Sequence, residues 1–444
     1  MRSTRKDAER LGRKALVAVF AAAAALLGVL AVAPARAVVF PDLYSLTVTP
    51  DAGSRDMRSA AIDLAMRRLL TRITGVRDPG TDPDLARLIA DASSYVSFDG
   101  MVDRGRFRVE FYSNRIDQAL ESLGKPVWGP ERPLTLLWIA IDAGGGERVL
   151  LSDAGIGADA LGDTAGVVGV RPETVELAAA IREEIQRVAD ERGLPIRFPL
   201  LDLEDLTSVT AADIWGTFVE PIEAASARYG ADAILIGRIS TDPFGTSVRW
   251  TLVDRGEVTT YGGSGFADLL DSVTDEPRPL ADEPRSVADE PRSLADEPAG
   301  QITGVGGQSL GADQPDPVDD GLNVLADMLA PVADGLHWVA DRFVQAYGFV
   351  GGARTVRLVV RDVSTLDDYG RVLSYLEGLS ALQTIDVEGY EDDGGLLRLR
   401  ASARGDLAVL EQMLGLGRVL RLDEQASSSV DNTLVLTLVG GSRR

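Results

Sequence analysis

The sequence contains no cysteine and a single histidine, His337. The absence of cysteine excludes disulfides, thiol catalysis and a lipid-modified N-terminal cysteine. One histidine without cysteine also excludes Cys/His zinc clusters and every site that needs two histidines. A Ser-His-Asp triad would have to use His337, which we interpret as a packing or surface residue of an apolar helical pattern. We therefore expect no metal and no cofactor, assign no catalytic residue, and favour a protein that is not an enzyme.

Lysine is scarce as well, and beyond residue 37 Lys125 is the only one. The formal net charge of −23 opposes binding to nucleic acid or to an anionic membrane surface, since both need a positive protein surface. Ser122 and Lys125 match the S-x-x-K pattern of penicillin-interacting serine enzymes. Gly124 and Pro126 disfavour a helical turn there, and no second lysine is left for a K-T-G element, so we reject that interpretation.

The N-terminus combines basic residues with a long apolar run. Six arginines and lysines precede an uncharged stretch from 15 to 33, and Ala35-Arg36-Ala37 then offers an A-x-A cleavage site. These are the three parts of a secretory signal peptide, so we predict cleavage after Ala37 and export to the periplasm. The alternative is an uncleaved inner-membrane anchor, because an apolar run of about 20 residues can span a bilayer.

Length and patterning predict a multidomain α/β (α+β) protein. At roughly 100–200 residues per domain, the chain has room for two to four domains. We predict an N-terminal α+β domain over 38–125, a central α/β domain with a mixed sheet over 133–350, and a ferredoxin-like C-terminal domain over 354–440.

The N-terminal domain is predicted to follow the order β-α-α-β-α. Alternating residues predict strands at 39–49 and 105–112. Amphipathic spacing predicts helices at 56–75, 83–95 and 116–123.

The central domain is predicted from two nearly continuous apolar runs, 134–142 and 233–239, which are typical of strands buried on both faces. Helices are predicted between them at 173–192 and 221–229. Strands at 247–253 and 257–261 are predicted to form a hairpin around Asp254-Arg255-Gly256.

A seven-residue repeat interrupts the central domain. Asp-Glu-Pro recurs from Asp275, Asp282, Asp289 and Asp296, and each proline removes a helical hydrogen bond. We interpret 267–320 as a disordered, extended acidic spacer.

The residues after this spacer predict an amphipathic helix. Apolar side chains recur at spacings of 4 and 3: Leu325, Leu329, Val332, Leu336, Val339 and Phe343. Pro331 predicts a kink or a restart. Aspartates on the opposite side (Asp320, Asp327, Asp334 and Asp341) argue against a membrane span. Packing on the preceding sheet is favoured over a coiled coil with a partner, because the heptad run is short.

The C-terminal segment predicts the order β-α-β-β-α-β of a ferredoxin-like split fold, followed by one further strand at 433–439. The predicted strands are 356–363, 382–389, 396–402 and 418–422, and the predicted helices are 364–379 and 406–414. Ser364 and Asp367 are predicted to form a capping box on the first helix. This architecture hosts many unrelated tasks, so it indicates no function.

An acidic cluster is the strongest candidate for chemistry. Asp202, Glu204 and Asp205 follow an apolar run, and strand ends often hold ligands. These carboxylates could serve a hydrolase that depends on acids and metal. An acidic loop that caps the next helix is the favoured interpretation.

Two weaker patterns carry less weight. Residues 155–160 fit G-x-G-x-x-A, but no helix is predicted until Glu173, so we interpret them as a flexible loop rather than a dinucleotide site. Four aspartates lack the spacing of a calcium loop: Asp313, Asp316, Asp319 and Asp320.

The segment 126–133 (PVWGPERP), which runs into the strand with Trp138, resembles a known family. Supporting stretches are 67–75, 194–205 and 228–239. Together they resemble an exported proteobacterial family classified as domain of unknown function 2066, from 38 to 345 and into the C-terminal segment. The Asp-Glu-Pro repeat departs from the family pattern and indicates an insertion. The resemblance implies export and the fold, and it assigns no functional residue because the family has no established activity.

Three functional hypotheses follow. The leading one is a periplasmic accessory or binding protein that acts through protein surfaces on an unidentified envelope protein, in envelope assembly. The second is the carboxylate-based hydrolase. The third is a small-ligand carrier with a pocket near Trp128, Arg132 and Trp138, in which Arg132 would pair with an anion. A rigid Pro/Trp segment that packs two domains together is the favoured interpretation of those three residues.

Overall fold

The computed structural model describes residues 38–40, 42–103, 105–144, 148–158, 170–242, 245–263, 317–391, 394–417, 419–423, 425–428 and 431–440. The predicted signal peptide and most of the predicted spacer lie outside these ranges. The chain is a multidomain α/β protein, as predicted. Within the described ranges, we find no helix whose length and apolar character would let it cross a membrane.

The N-terminal unit is a three-stranded antiparallel sheet with helices packed on one side. After a two-residue strand, β1 (Val38–Val39), the sheet contains β2 (Ser45–Val48), β3 (Val96–Asp103) and β4 (Arg106–Phe111), in the order β2-β4-β3. Its helices are α1 (Met57–Thr74), α2 (Pro83–Ala90) and α3 (Ser113–Ser122). The predicted helix over 83–95 is shorter, because a 3-10 turn replaces its last part. Strand β3 was not predicted: Phe98 and Met101 are exposed, so no buried face marks it in the sequence.

Helix α1 begins and ends where the sequence predicts. The side chain of Asp56 accepts hydrogen bonds from the amides of Arg58 and Ser59, which caps the first turn. Gly75 ends the helix with φ +77°, and a Cβ there would lie 2.9 Å from Val344. Glycine at this position therefore allows α1 to pack closely against a helix of the central domain.

The central sheet is mixed, as predicted. After β5 (Glu131–Arg132), which pairs with β1, the sheet is built from β6 (Thr135–Asp142), β7 (Arg148–Ser152), β8 (Gly155–Ala158), β9 (Ile196–Arg197), β10 (Ala233–Asp242), β11 (Gly245–Asp254) and β12 (Glu257–Gly263). Its order is β12-β11-β10-β6-β7-β8, and β9 pairs with β6. Strands β6 and β10 are parallel, and the hairpins are antiparallel. The interpretation of 155–160 as a loop is wrong for its first four residues, because these pair with β7 as an edge strand.

Helices cover both faces of this sheet. They are α4 (Pro172–Arg192), α5 (Leu203–Ser208), α6 (Ala211–Gly216), α7 (Val219–Ser226) and α8 (Pro317–Tyr347). Helices α4 and α8 pack on one face, and α6 and α7 pack on the other. Packing of α8 on the sheet confirms the prediction, but the helix continues through Pro331 without a restart. It also begins at Pro317, so the predicted spacer boundary at 320 is wrong.

The C-terminal sheet follows the predicted element order, with a different position for the last strand. Its elements are β13 (Ala353–Arg361), α9 (Leu366–Glu377), β14 (Leu382–Glu391), β15 (Leu396–Arg404), α10 (Leu407–Leu416), β16 (Leu420–Leu422) and β17 (Thr433–Leu438). The further strand β17 inserts beside β13 in parallel and displaces β16 to the edge. Thr365 and Asp368 form the capping box of α9, one residue later than predicted, because Thr365 lies at the N-cap position. One apolar cluster runs from the central sheet into this sheet.

Candidate interaction surface

Arg132 lies at the centre of the segment for which the sequence suggests a ligand pocket. Its side chain is completely buried, and all five of its N–H groups donate to backbone carbonyl oxygens. Two of these bonds reach Arg192 and Gly193 at the end of α4, and one reaches Arg72 near the end of α1, at 2.8–2.9 Å. The guanidinium therefore satisfies the free carbonyls of two helix ends and complements their dipoles.

This environment leaves no place for an anion at Arg132. Its Cζ lies 3.9 Å from the ring centroid of Trp128, which is itself buried. Burial, together with the positive charge of Arg72, lowers the pKa of Arg132 to about 9, so the group stays charged at neutral pH. Trp138 belongs to a different apolar cluster and donates to Ser226 Oγ at 2.9 Å. The three residues form no common pocket, and Trp128 and Arg132 join α1 to α4 as a packing segment.

The acidic cluster caps a helix and forms ion pairs. Asp202 is the N-cap of α5 and accepts from the amide of Asp205 at 3.1 Å and from Arg228 Nη2 at 2.7 Å. Asp205 is fully buried and accepts from the amide of Leu201 at 2.9 Å, from Arg228 Nη1 at 3.0 Å and from the Tyr229 hydroxyl. These contacts match the favoured interpretation of the cluster as an acidic helix cap.

The electrostatics of the cluster match this role. The hydrogen bond from Arg228 holds the pKa of Asp202 well below its usual value of 3.8. Burial and the hydrogen bond to Asp205 raise the pKa of Tyr229 to about 12. Arg228 thus holds Asp202 as a carboxylate, and in the described ranges no group of three acids or histidines is arranged to hold a metal ion. No contact at Asp202 or Asp205 favours the hydrolase hypothesis.

The loop that leads into α5 and the first residue of that helix expose two leucines. Leu201 adopts φ +50°, a conformation that costs a bulky residue energy and is held here by the bond from its amide to Asp205. On either side of it, Leu200 is 54% exposed and Leu203 is 79% exposed. We call residues 200–203 the leucine loop. Sequence reasoning missed it, because a run of leucines next to acids resembles a buried strand end.

Further exposed side chains lie on α5 and at α7, two helices that contact each other. Phe218, at the start of α7, is 57% exposed. Glu204 on α5 and Glu220 and Glu223 on α7 are exposed as well. We call these four residues and the leucine loop the docking face. A cleft of about 280 Å³ lies at these helices and is lined by Glu204, Asp205, Ser208, Pro221, Ala224, Ala225 and Arg228.

The remaining candidates are engaged elsewhere or fall outside the described residues. Lys125 pairs with Asp82 at 2.5 Å and the Ser122 hydroxyl donates to the carbonyl of Ala119, which agrees with rejecting an S-x-x-K site. His337 is half-buried on α8, and burial and Arg192 lower its pKa.

The candidate calcium aspartates divide between two segments. Asp313 and Asp316 lie outside the described residues, while Asp319 and Asp320 belong to the first turn of α8.

Comparison with known proteins adds one match. A family model described as a domain of unknown function (DUF8605) matches residues 37–129, a range that contains the whole N-terminal unit. It is a different family from domain of unknown function 2066, so that resemblance stays a prediction. No curated protein and no solved structure matches the chain.

Proposed function

We propose that this chain is an exported, periplasmic accessory or binding protein that acts through protein surfaces in cell-envelope assembly. The observation that carries the proposal is the docking face, where Leu200, Leu203 and Phe218 are exposed and the amides of Leu200 and Phe218 are hydrogen-bonded. The basic and apolar N-terminal segment with its A-x-A site supports export.

Exposed apolar side chains on a fixed loop favour protein binding. Covering one leucine or phenylalanine contributes roughly 1.5–3 kcal/mol. The ion pairs of Asp202 and Asp205 with Arg228 already order the leucine loop, so less conformational entropy is lost when a partner binds. The docking face is thus suited to bind without a further folding step.

The charges around the docking face define the kind of partner. Glu204 follows Leu203 directly, Glu220 and Glu223 lie within five residues of Phe218, all three are exposed, and the chain as a whole is acidic. Such a surface attracts a protein segment that combines apolar side chains with lysine or arginine, and repels acidic ones.

The test is affinity purification of the tagged protein from crosslinked native envelopes, followed by mass spectrometry. We expect a near-stoichiometric envelope partner with the wild-type chain and with Leu366→Glu, a control at a more exposed leucine of α9. We expect loss of that partner with Leu200→Glu combined with Leu203→Glu. A wild-type chain that is found in the envelope but captures no partner would contradict the proposal.

A further inference from the structure

A second cleft lies where the central and C-terminal sheets meet. It has a volume of about 210 Å³ and lies between the β11–β12 hairpin, α8 and α10. Leu252, Phe343 and Ala346 provide its apolar part. Its polar lining consists of Asp254, Arg255, Glu257, Thr259, Arg342, Gln345 and Gln412. We call it the junction cleft.

Two hydrogen-bond acceptors in this cleft lack a close donor. The Asp254 side chain is only 14% exposed, yet its nearest donors, the Tyr347 hydroxyl and Arg255, both lie 3.4 Å away. The Oε1 atom of Gln412 is buried and has no hydrogen-bond partner among the described residues. Since buried acceptors are normally satisfied, this pair calls for N–H donors from a bound molecule.

Two arginines in the same cleft have guanidinium N–H groups that can donate to a ligand. Arg255 contacts Asp254 at 3.4 Å, and Arg342 contacts Glu257 at 3.4 Å. Close ion pairs elsewhere in the chain, such as Arg228 with Asp202 at 2.7 Å, are much shorter. Because a guanidinium carries five N–H groups, Arg255 and Arg342 can bind a carboxylate without breaking a strong existing pair.

We propose that the junction cleft binds a small dipolar ligand of the free amino-acid class. The ligand's ammonium group donates to Asp254 and to Gln412 Oε1, and its carboxylate accepts from Arg255 and Arg342. The cleft is smaller than the roughly 300–1,000 Å³ typical of drug-sized ligand sites, so a single amino acid fits it better than a peptide. This site is independent of the docking face and differs in position from the pocket considered near Trp128.

The test is thermal unfolding of the purified full-length chain with glycine, L-alanine, L-glutamine or L-arginine. We expect at least one of these amino acids to raise Tm progressively with concentration, since it binds the folded state. Acetate and methylammonium, each with one charge, should leave Tm unchanged at the same ionic strength. If none of the four amino acids raises Tm, the cleft holds water only and the proposal is wrong.

Substitutions then locate the bound amino acid. Arg255→Gln and Gln412→Leu should each weaken its affinity by about tenfold, the effect of losing one charge-assisted hydrogen bond. Arg255 is exposed, so its replacement should not impair folding, and circular dichroism checks this for both variants. The control variant Glu220→Gln, on the docking face, should bind the amino acid with the affinity of the wild type. Wild-type affinity in both cleft variants would show that the amino acid binds elsewhere and would overturn the proposal.

Discussion

The guanidinium of Arg132 fills the space that a side chain at Gly193 would need. Nη1 of Arg132 donates to the carbonyl of Gly193 at 2.8 Å, and a Cβ on Gly193 would lie 2.6 Å from the same nitrogen. Gly193 also has φ +66°, a conformation that suits glycine. The end of α4 and the buried arginine therefore depend on each other.

Replacing Gly193 by alanine should destabilise the protein by about 2–4 kcal/mol, because the change adds backbone strain and displaces the guanidinium. Urea denaturation followed by circular dichroism measures this. Gly352→Ala is the control without positive φ: apart from its chain neighbours, no atom lies within 4 Å of its Cβ position, and the change should stay within about 0.5 kcal/mol. Equal effects of the two substitutions would contradict the close contact.

Arg132→Lys should destabilise the protein by about 3–5 kcal/mol although it preserves the charge, because an ammonium group cannot donate to five carbonyls. Denaturant unfolding again provides the measurement. Arg108→Lys replaces an exposed arginine that pairs with Glu110, and its effect should be below about 1 kcal/mol. A tolerated lysine at 132 would show that charge alone is required.

Asp202→Asn tests the lowered pKa of this carboxyl group. Asparagine still caps α5, so the substitution removes mainly the ion pair with Arg228. The carboxylate contributes stability above its ordinary pKa of 3.8 and loses this contribution as the pH falls toward the lower folded-state pKa. The variant should therefore be less stable than the wild type at pH 6, and the difference should shrink below about pH 4. A constant difference between pH 6 and pH 3 in urea titrations would contradict this.

The acids of the docking face should set the salt dependence of partner binding. Once a partner is captured, Glu204→Gln, Glu220→Gln and Glu223→Gln together should weaken its binding and flatten the dependence on ionic strength. Binding kinetics at several salt concentrations measure both effects. A control triple variant makes the same change in charge elsewhere, with Glu173→Gln, Glu176→Gln and Glu377→Gln. It should alter the affinity for the partner and its salt dependence much less. Equal effects of the two triple variants would argue for net charge rather than a local surface.

Regular patterns in the sequence predict much of the fold. Helix α1 and helix α4 repeat apolar residues over several turns, and β6 and β10 are continuous apolar runs, so one pattern defines each element. Strand β3 and the β7–β8 hairpin were missed. Phe98 and Met101 of β3 are exposed, so pairing with β4, rather than burial, defines that strand. Strand β8 contains two glycines and pairs with β7.

The candidate surface was only partly predictable. Helix capping by Asp202 follows from local residue types, and the sequence indicated it. The exposed leucine loop depends on the left-handed conformation of Leu201 and on Arg228, which is distant in sequence. The role of Arg132 depends on backbone carbonyls, which leave no signature in the sequence because every residue has one.

The packing of α8 implies that the covalent connection through 264–316 is not needed for the fold. Helix α8 lies against α4, β11 and β12 and shares one apolar cluster with both sheets. Residues 38–263 and 317–440, produced as separate polypeptides, are therefore expected to associate as the two subunits of a heterodimer.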